Sequence, residues 1–167
     1  MNLAVHRLQN KTFNLDFVRE IIEQAAIVYN SKKSGILELG GGVPKNTAQQ
    51  TGPLLDQILR KDHGGQNYII QITDARPDTG GLSGATLQEG KSWGKVKDSH
   101  EDLITVYTDS TIAFPILALY ALSNEESREQ KRIYKKLGNY YDTLQESANK
   151  VPDKFADILK KSNINLD

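Results

Sequence analysis

The 167-residue sequence contains no cysteine, which excludes disulfide frameworks, thiolate metal sites and cysteine nucleophiles together. It carries no net charge, with 21 Lys+Arg against 21 Asp+Glu. Binding nucleic acid or an anionic membrane needs a basic excess to neutralise phosphates, so neither partner is expected. No stretch approaches the roughly 20 apolar residues of a membrane helix, and the N-terminal run MNLAVHRLQNKTFNLDF has no continuous apolar segment. A soluble cytoplasmic protein is the expectation. His6, His63 and His100 are scattered without ligand spacing, and no metal site is expected.

What the chain does have is 38% hydrophobic residues, enough at this length for one real core. Phe17, Val18, Ile21, Ile22, Ala25, Ala26 and Tyr29 recur at helical spacing, with Asn14 placed as a cap. Gly35–Leu39, Tyr68–Thr73 and Leu103–Tyr107 are short apolar runs bounded by breakers and read as strands. Helices are expected past Pro44 with Leu54, Leu55, Ile58 and Leu59 on one face, over Leu87 to Trp93, and over Ser110 to Leu122 around Pro115. This alternation predicts an α/β fold, a Rossmann-like parallel sheet with helices on both faces, formed by residues 1–125. Three strands are few for a free-standing doubly wound domain. Residues 126–167 read as a charged helical tail, with a solvated helix over the charged run that follows Asn124 and another after Pro152.

Several segments are placed to carry chemistry. Gly40, Gly41 and Gly42 lie between a strand and a helix, where backbone N–H groups receive a phosphate or dinucleotide. A turn that merely needs positive φ explains them equally well. Ala85 to Ser92 matches a relaxed phosphate-loop pattern, but it follows a glycine-rich loop and places Glu89 beside the phosphates, which argues against a nucleoside triphosphate site. Ser92-Trp93-Gly94-Lys95 joins the single tryptophan to a lysine behind a glycine. A desolvated lysine amine attacks a carbonyl or imine, and Glu89, six residues earlier, is suited to a cationic amine. The bland alternative is a core tryptophan and an exposed lysine. Asp74, Asp78 and Asp109 follow strands, where open sheets bind ligands, although Asp109 before Ser110 also makes a helix cap.

Leu39-Gly-Gly-Gly-Val-Pro-Lys45, the loop Asp74 to Ala85, Glu89, Ser92-Trp-Gly-Lys-Val96 and Val106-Tyr-Thr-Asp-Ser110 occur in an order that resembles the C-terminal half of deoxyhypusine synthases. The resemblance spans about residues 15 to 125 and is strongest to the bacterial deoxyhypusine synthase-like branch. It implies an NAD-dependent transfer of the aminobutyl group of spermidine through a lysine imine, with Lys95 as the nucleophile. Glu89, Trp93, Gly80, Gly81, Leu82 and Asn46 fall on substrate-binding positions. Gly41, Asp74, Ala75, Asp109 and Ser110 fall on NAD-contacting ones.

The departures are informative too. The synthase proper has Lys-His-His after its glycines, where this chain has Lys45-Asn46-Thr47, and loop aspartates where this chain has Thr79 and Leu82. An amide is no general base and an amine-anchoring carboxylate is absent, which argues against transfer to a protein lysine. The bacterial branch shares these changes, and the resemblance to it implies a small acceptor such as putrescine or agmatine. The family's N-terminal half, which carries much of the NAD site, is expected from a partner, giving a homo- or hetero-oligomer. An inactive fragment, or a regulatory or NAD-binding subunit, is the alternative.

Overall fold

The computed structural model describes residues 2–9, 16–61, 63–96, 103–126 and 129–149. The expected helix after Pro152 and the Asn14 cap lie outside these residues. A short helix α1 spans Asn2–Gln9. The periodic stretch forms α2 (Phe17–Tyr29), and its cap is Asp16, whose carboxylate accepts from the Arg19 N–H at 2.9 Å. Strands β1 (Gly35–Leu39), β2 (Tyr68–Thr73) and β3 (Leu103–Tyr107) have the expected bounds. They form one parallel sheet in the order β1-β2-β3.

Between β1 and β2 lie α3 (Val43–Gln49), the single turn α4 (Thr51–Pro53) and a π turn over Leu54–Ile58. The expected apolar face breaks there. The wider π turn buries Leu55 completely but turns Ile58 outward, 65% exposed. After β2 the loop condenses into two 3-10 turns, Pro77–Thr79 and Leu82–Gly84, and leads into α5 (Leu87–Ser92). Helix α6 (Ser110–Asn124) follows β3, and α7 (Leu137–Ala148) ends the described chain.

Two apolar clusters hold these elements together. Ile69 of β2, Leu87 of α5 and Val96 pack with Ile36 and Leu103, joining α5 to one face of the sheet. Ala25, Ala26, Leu55 and Leu144 join α2, the π turn and α7. The expectation of a solvated helix after Asn124 is corrected here. Among the described residues the charged run forms only a 3-10 turn, Ile133–Lys136, and the helix starts at Leu137. Its amphipathic sequence docks on α2, with the Tyr29 hydroxyl 3.0 Å from Ser147 Oγ and Asn30 Nδ2 donating to the Tyr140 carbonyl. Leu144→Ala should therefore lower the unfolding free energy by about 2–4 kcal/mol, measured by urea denaturation.

Some apolar surface stays uncovered. Leu37, Leu39 and Ile104, which alternate with the inward residues of their strands, are 44–48% exposed, and Ile112, Ile116, Leu119 and Leu122 of α6 are 63–81% exposed. Among the described residues no helix is long and apolar enough to cross a membrane.

Candidate active site

Parallel pairing brings three strand ends to one edge. Leu39, Ile72 and Val106 are in register, so the turns at Gly41, at Asp74-Ala75 and at Asp109-Ser110 follow one another along the carboxyl end of the sheet. Gly40 and Gly42 adopt φ of +80° and +86°, which only glycine takes without strain. Gly41 is needed for a different reason, since a Cβ there would stand 2.8 Å from Ser83 Cα. The glycine turn is thus pressed against the loop that carries Gly80, Gly81 and Leu82. Those three project outward. A Cβ on either glycine would meet nothing within 4 Å among the described residues, and Leu82 is 49% exposed.

Asp109 caps α6, accepting from both the N–H and the hydroxyl of Thr111. The Thr111 hydroxyl, then its N–H, holds the Asp109 carboxyl below the usual range. Ala75 N–H donates to Thr73 Oγ1, and the exposed Asp74 follows β2 directly.

Lys95 is positioned by a helix stop. Trp93 is the last cap of α5, Gly94 turns into the left-handed region at φ +70°, and two bonds close the turn: Gly94 N–H to the Lys91 carbonyl and Lys95 N–H to the Gly90 carbonyl, each 3.0 Å. This is the Schellman pattern, and it explains the glycine of the Ser-Trp-Gly-Lys motif. The Lys95 carbonyl accepts from Gln66 N–H at 3.0 Å, and Val96 forms a bridge with Gln66, so the lysine backbone is anchored just before β2. From there its side chain, partly buried, reaches α3, where Nζ donates to Asn46 Oδ1 at 3.1 Å. Of the residues singled out in sequence, Asn46 and Lys95 are thus in direct contact.

Trp93 is 64% exposed, so it is not a core tryptophan. Its carbonyl accepts from Gln57 Nε2. Glu89 is exposed in the first turn of α5, where the Thr86 hydroxyl caps its N–H.

Beneath these residues lies a buried polar layer that sequence reasoning missed. Glu38, Gln71 and Thr105 are register partners across the sheet. Lys45, only 6% exposed, donates from Nζ to Gln71 Oε1 at 3.1 Å and to the Ala85 carbonyl at 2.6 Å. Gln71 Nε2 donates to the carbonyls of Gly40 and Ser83. These bonds tie the glycine turn and the loop to the sheet. Glu38 accepts from Gln49 Nε2 at 2.5 Å, while its Oε2 is buried without a hydrogen-bond partner among the described residues. A signal was available, because Glu38 and Gln71 each interrupt an apolar run at its fourth residue.

Burial pushes Glu38 above the usual carboxylate range, against the pull of Gln49, Lys45 and Lys95. Burial likewise pushes Lys45 below the usual lysine range, opposed by Glu38. The raised carboxyl keeps its proton more tightly folded than unfolded. Stability linked to Glu38 therefore falls as pH rises from the ordinary carboxylate range through its raised value. Glu38→Gln should remove that slope, read from urea midpoints across the acid range.

The deoxyhypusine synthase family model matches residues 1–121. The chain is 46% identical over 151 residues to a deoxyhypusine synthase-like protein of Nostoc punctiforme, covering 87% of this chain and 38% of that protein. It is 44% identical over 154 residues to one of Thermosynechococcus vestitus, with the same two shares. It is 40% identical over 133 residues to a probable deoxyhypusine synthase 2 of Methanosarcina acetivorans, covering 80% and 37%. The chain spans less than two-fifths of these curated relatives. An ordered set of motifs on a parallel sheet, matched by the family model over most of its length, places this chain in the deoxyhypusine synthase family.

Proposed function

We propose that this chain carries the lysine half of an NAD-dependent, cytoplasmic transferase that moves the aminobutyl group of spermidine to a small amine such as putrescine or agmatine. The observation that carries the reading is Lys95 Nζ held 3.1 Å from Asn46 Oδ1, beside the glycine turn. The donor set suits the cofactor. Gly41, Asp74, Ala75, Asp109 and Ser110 follow successive strands along one edge, and open sheets bind dinucleotides there. Bound at that edge, NAD would supply a hydride acceptor for the oxidation of spermidine and a hydride donor for the final reduction.

The remaining work falls to side chains. The Lys95 amine adds to the oxidised donor carbon, the carbon–nitrogen bond to the diaminopropane portion breaks, and that portion leaves as the free amine. The aminobutyl group stays on Lys95 as an imine, which the acceptor amine displaces before reduction. Asn46 orients the Lys95 amine by accepting from it. Glu89 pairs with a substrate ammonium, while Trp93, Gly80, Gly81 and Leu82 border the polyamine.

The relatives are much longer than this chain, and the uncovered leucines and isoleucines of the sheet and α6 support association with a partner that supplies the rest of the family's length.

Labelled spermidine offered with putrescine or with agmatine, to the chain mixed with the uncovered portion of the Nostoc punctiforme relative, tests the reading. Labelled homospermidine or its agmatine counterpart is the expected product, and Lys95→Ala should reduce its formation at least a hundredfold. Equal turnover by Lys95→Ala contradicts the assignment.

A further inference from the structure

A concavity lies at the opposite end of the sheet from that edge, at the starts of β1 and β2. It is a cavity of about 310 Å³, walled by Ile27 and Val28 of α2, Ile36 of β1 and Ala48 of α3. Two polar atoms of its lining are buried without hydrogen-bond partners among the described residues, the Ser34 hydroxyl and Gln66 Oε1. Gln66 is 1% exposed. Its neighbours fix which end of the amide is unsatisfied. The Thr51 hydroxyl donates its proton to the Ala48 carbonyl at 2.7 Å, so its oxygen accepts from Gln66 Nε2 at 3.1 Å. Oε1 is left as a bare acceptor, and a buried acceptor is costly to leave unmade.

The cavity shares Ser31, Lys33, Lys131 and Ile133 with an adjoining cleft of about 450 Å³. Lys32, Lys33, Lys131 and Lys136 line that cleft, and among the described residues no carboxylate side chain lines either space. A cationic mouth thus leads to an apolar chamber with an acceptor and a hydroxyl on its lining.

We propose that cavity and cleft together bind a small organic phosphate bearing a terminal hydroxyl. Four ammonium groups suit a doubly charged phosphate better than a carboxylate. The apolar body lies along Ile27, Val28 and Ile36. One hydroxyl satisfies both orphans, donating to Gln66 Oε1 and accepting from Ser34 Oγ. The volume is at the small end of the range for ligand sites, roughly 300–1,000 Å³. The Gln66 backbone N–H holds the Lys95 carbonyl, so a ligand seated on Gln66 touches the residue that anchors Lys95.

Amide NMR of the full chain, titrated with 6-hydroxyhexyl phosphate, hexyl phosphate or inorganic phosphate, tests this. The hydroxylated ester should give saturable shifts at Ile27, Ser34 and the Gln66 side-chain amide, and hexyl phosphate should bind about tenfold more weakly. Inorganic phosphate should shift only the lysine cleft. Ser34→Ala, which deletes an unpartnered hydroxyl, should weaken the hydroxylated ester severalfold and leave hexyl phosphate unchanged. Lys131→Gln, at an exposed position, should weaken both esters. Equal affinity for the two esters, or no saturable shift at Gln66, overturns the proposal and leaves buried water as the partner of both atoms.

Discussion

Lys45→Met should lower the unfolding free energy by about 2–6 kcal/mol, because it leaves two acceptors unsatisfied at about 1–3 kcal/mol each. Lys45 is 6% exposed and its ammonium bonds two groups, Gln71 Oε1 and the Ala85 carbonyl. Methionine fills most of the space but leaves both acceptors unpaired. It also removes one of the two cations that oppose the burial of Glu38, so Glu38 should bind its proton still more tightly. The same change should loosen the segment from Gly80 to Ala85, because Lys45 and Gln71 hold that segment through the carbonyls of Ala85 and Ser83. Urea denaturation gives the first effect, and faster amide exchange at Ser83 to Ala85 gives the second. A loss below about 1 kcal/mol, the range of an exposed lysine, contradicts the role of Lys45 as a clamp.

Gly65→Ala should be as damaging for a purely steric reason. At φ +81° an L side chain is strained by about 1–2 kcal/mol. A Cβ there would also stand 2.6 Å from both the Lys95 carbonyl carbon and Val96 N, backbone atoms that cannot swing aside. Overpacking adds roughly 1–3 kcal/mol, so the total is about 2–5 kcal/mol. Gly80→Ala is the matched control, because Gly80 also has positive φ, at +70°, but its Cβ would meet nothing within 4 Å among the described residues. It should lose only the conformational part. If both variants lose the same stability, close packing of the segment before β2 on Lys95 is not what requires glycine at position 65.

The three strands were legible because each is a short apolar run closed by a breaker, and their observed bounds coincide with the expected ones. The glycine turn was legible as a turn, and positive φ at Gly40 and Gly42 accounts for two of its three glycines. Ile58 was misplaced because helical periodicity assumes the α spacing, and a π turn shifts everything after it. The start of α7 was missed because the charges of the preceding run suggested a solvated helix, whereas Leu144 finds its partners on α2, a contact distant in sequence. The polar layer was the least visible. A lysine reads as a surface residue, and only the fold shows that Lys45 points inward onto Gln71 and Ala85. The contact between Lys95 and Asn46 was equally hidden, since 49 residues separate them.

The measurement that bears most directly on Lys95 as nucleophile is intact and peptide mass spectrometry after borohydride reduction, with NAD and spermidine, on the chain alone and mixed with the uncovered portion of the Nostoc punctiforme relative. A mass gain equal to one aminobutyl group, located on Lys95 and absent from Lys95→Ala, is the predicted result. The same adduct on another lysine, or one that persists in Lys95→Ala, contradicts the account, and folded protein without any adduct in the mixture points to a chain that does not catalyse transfer.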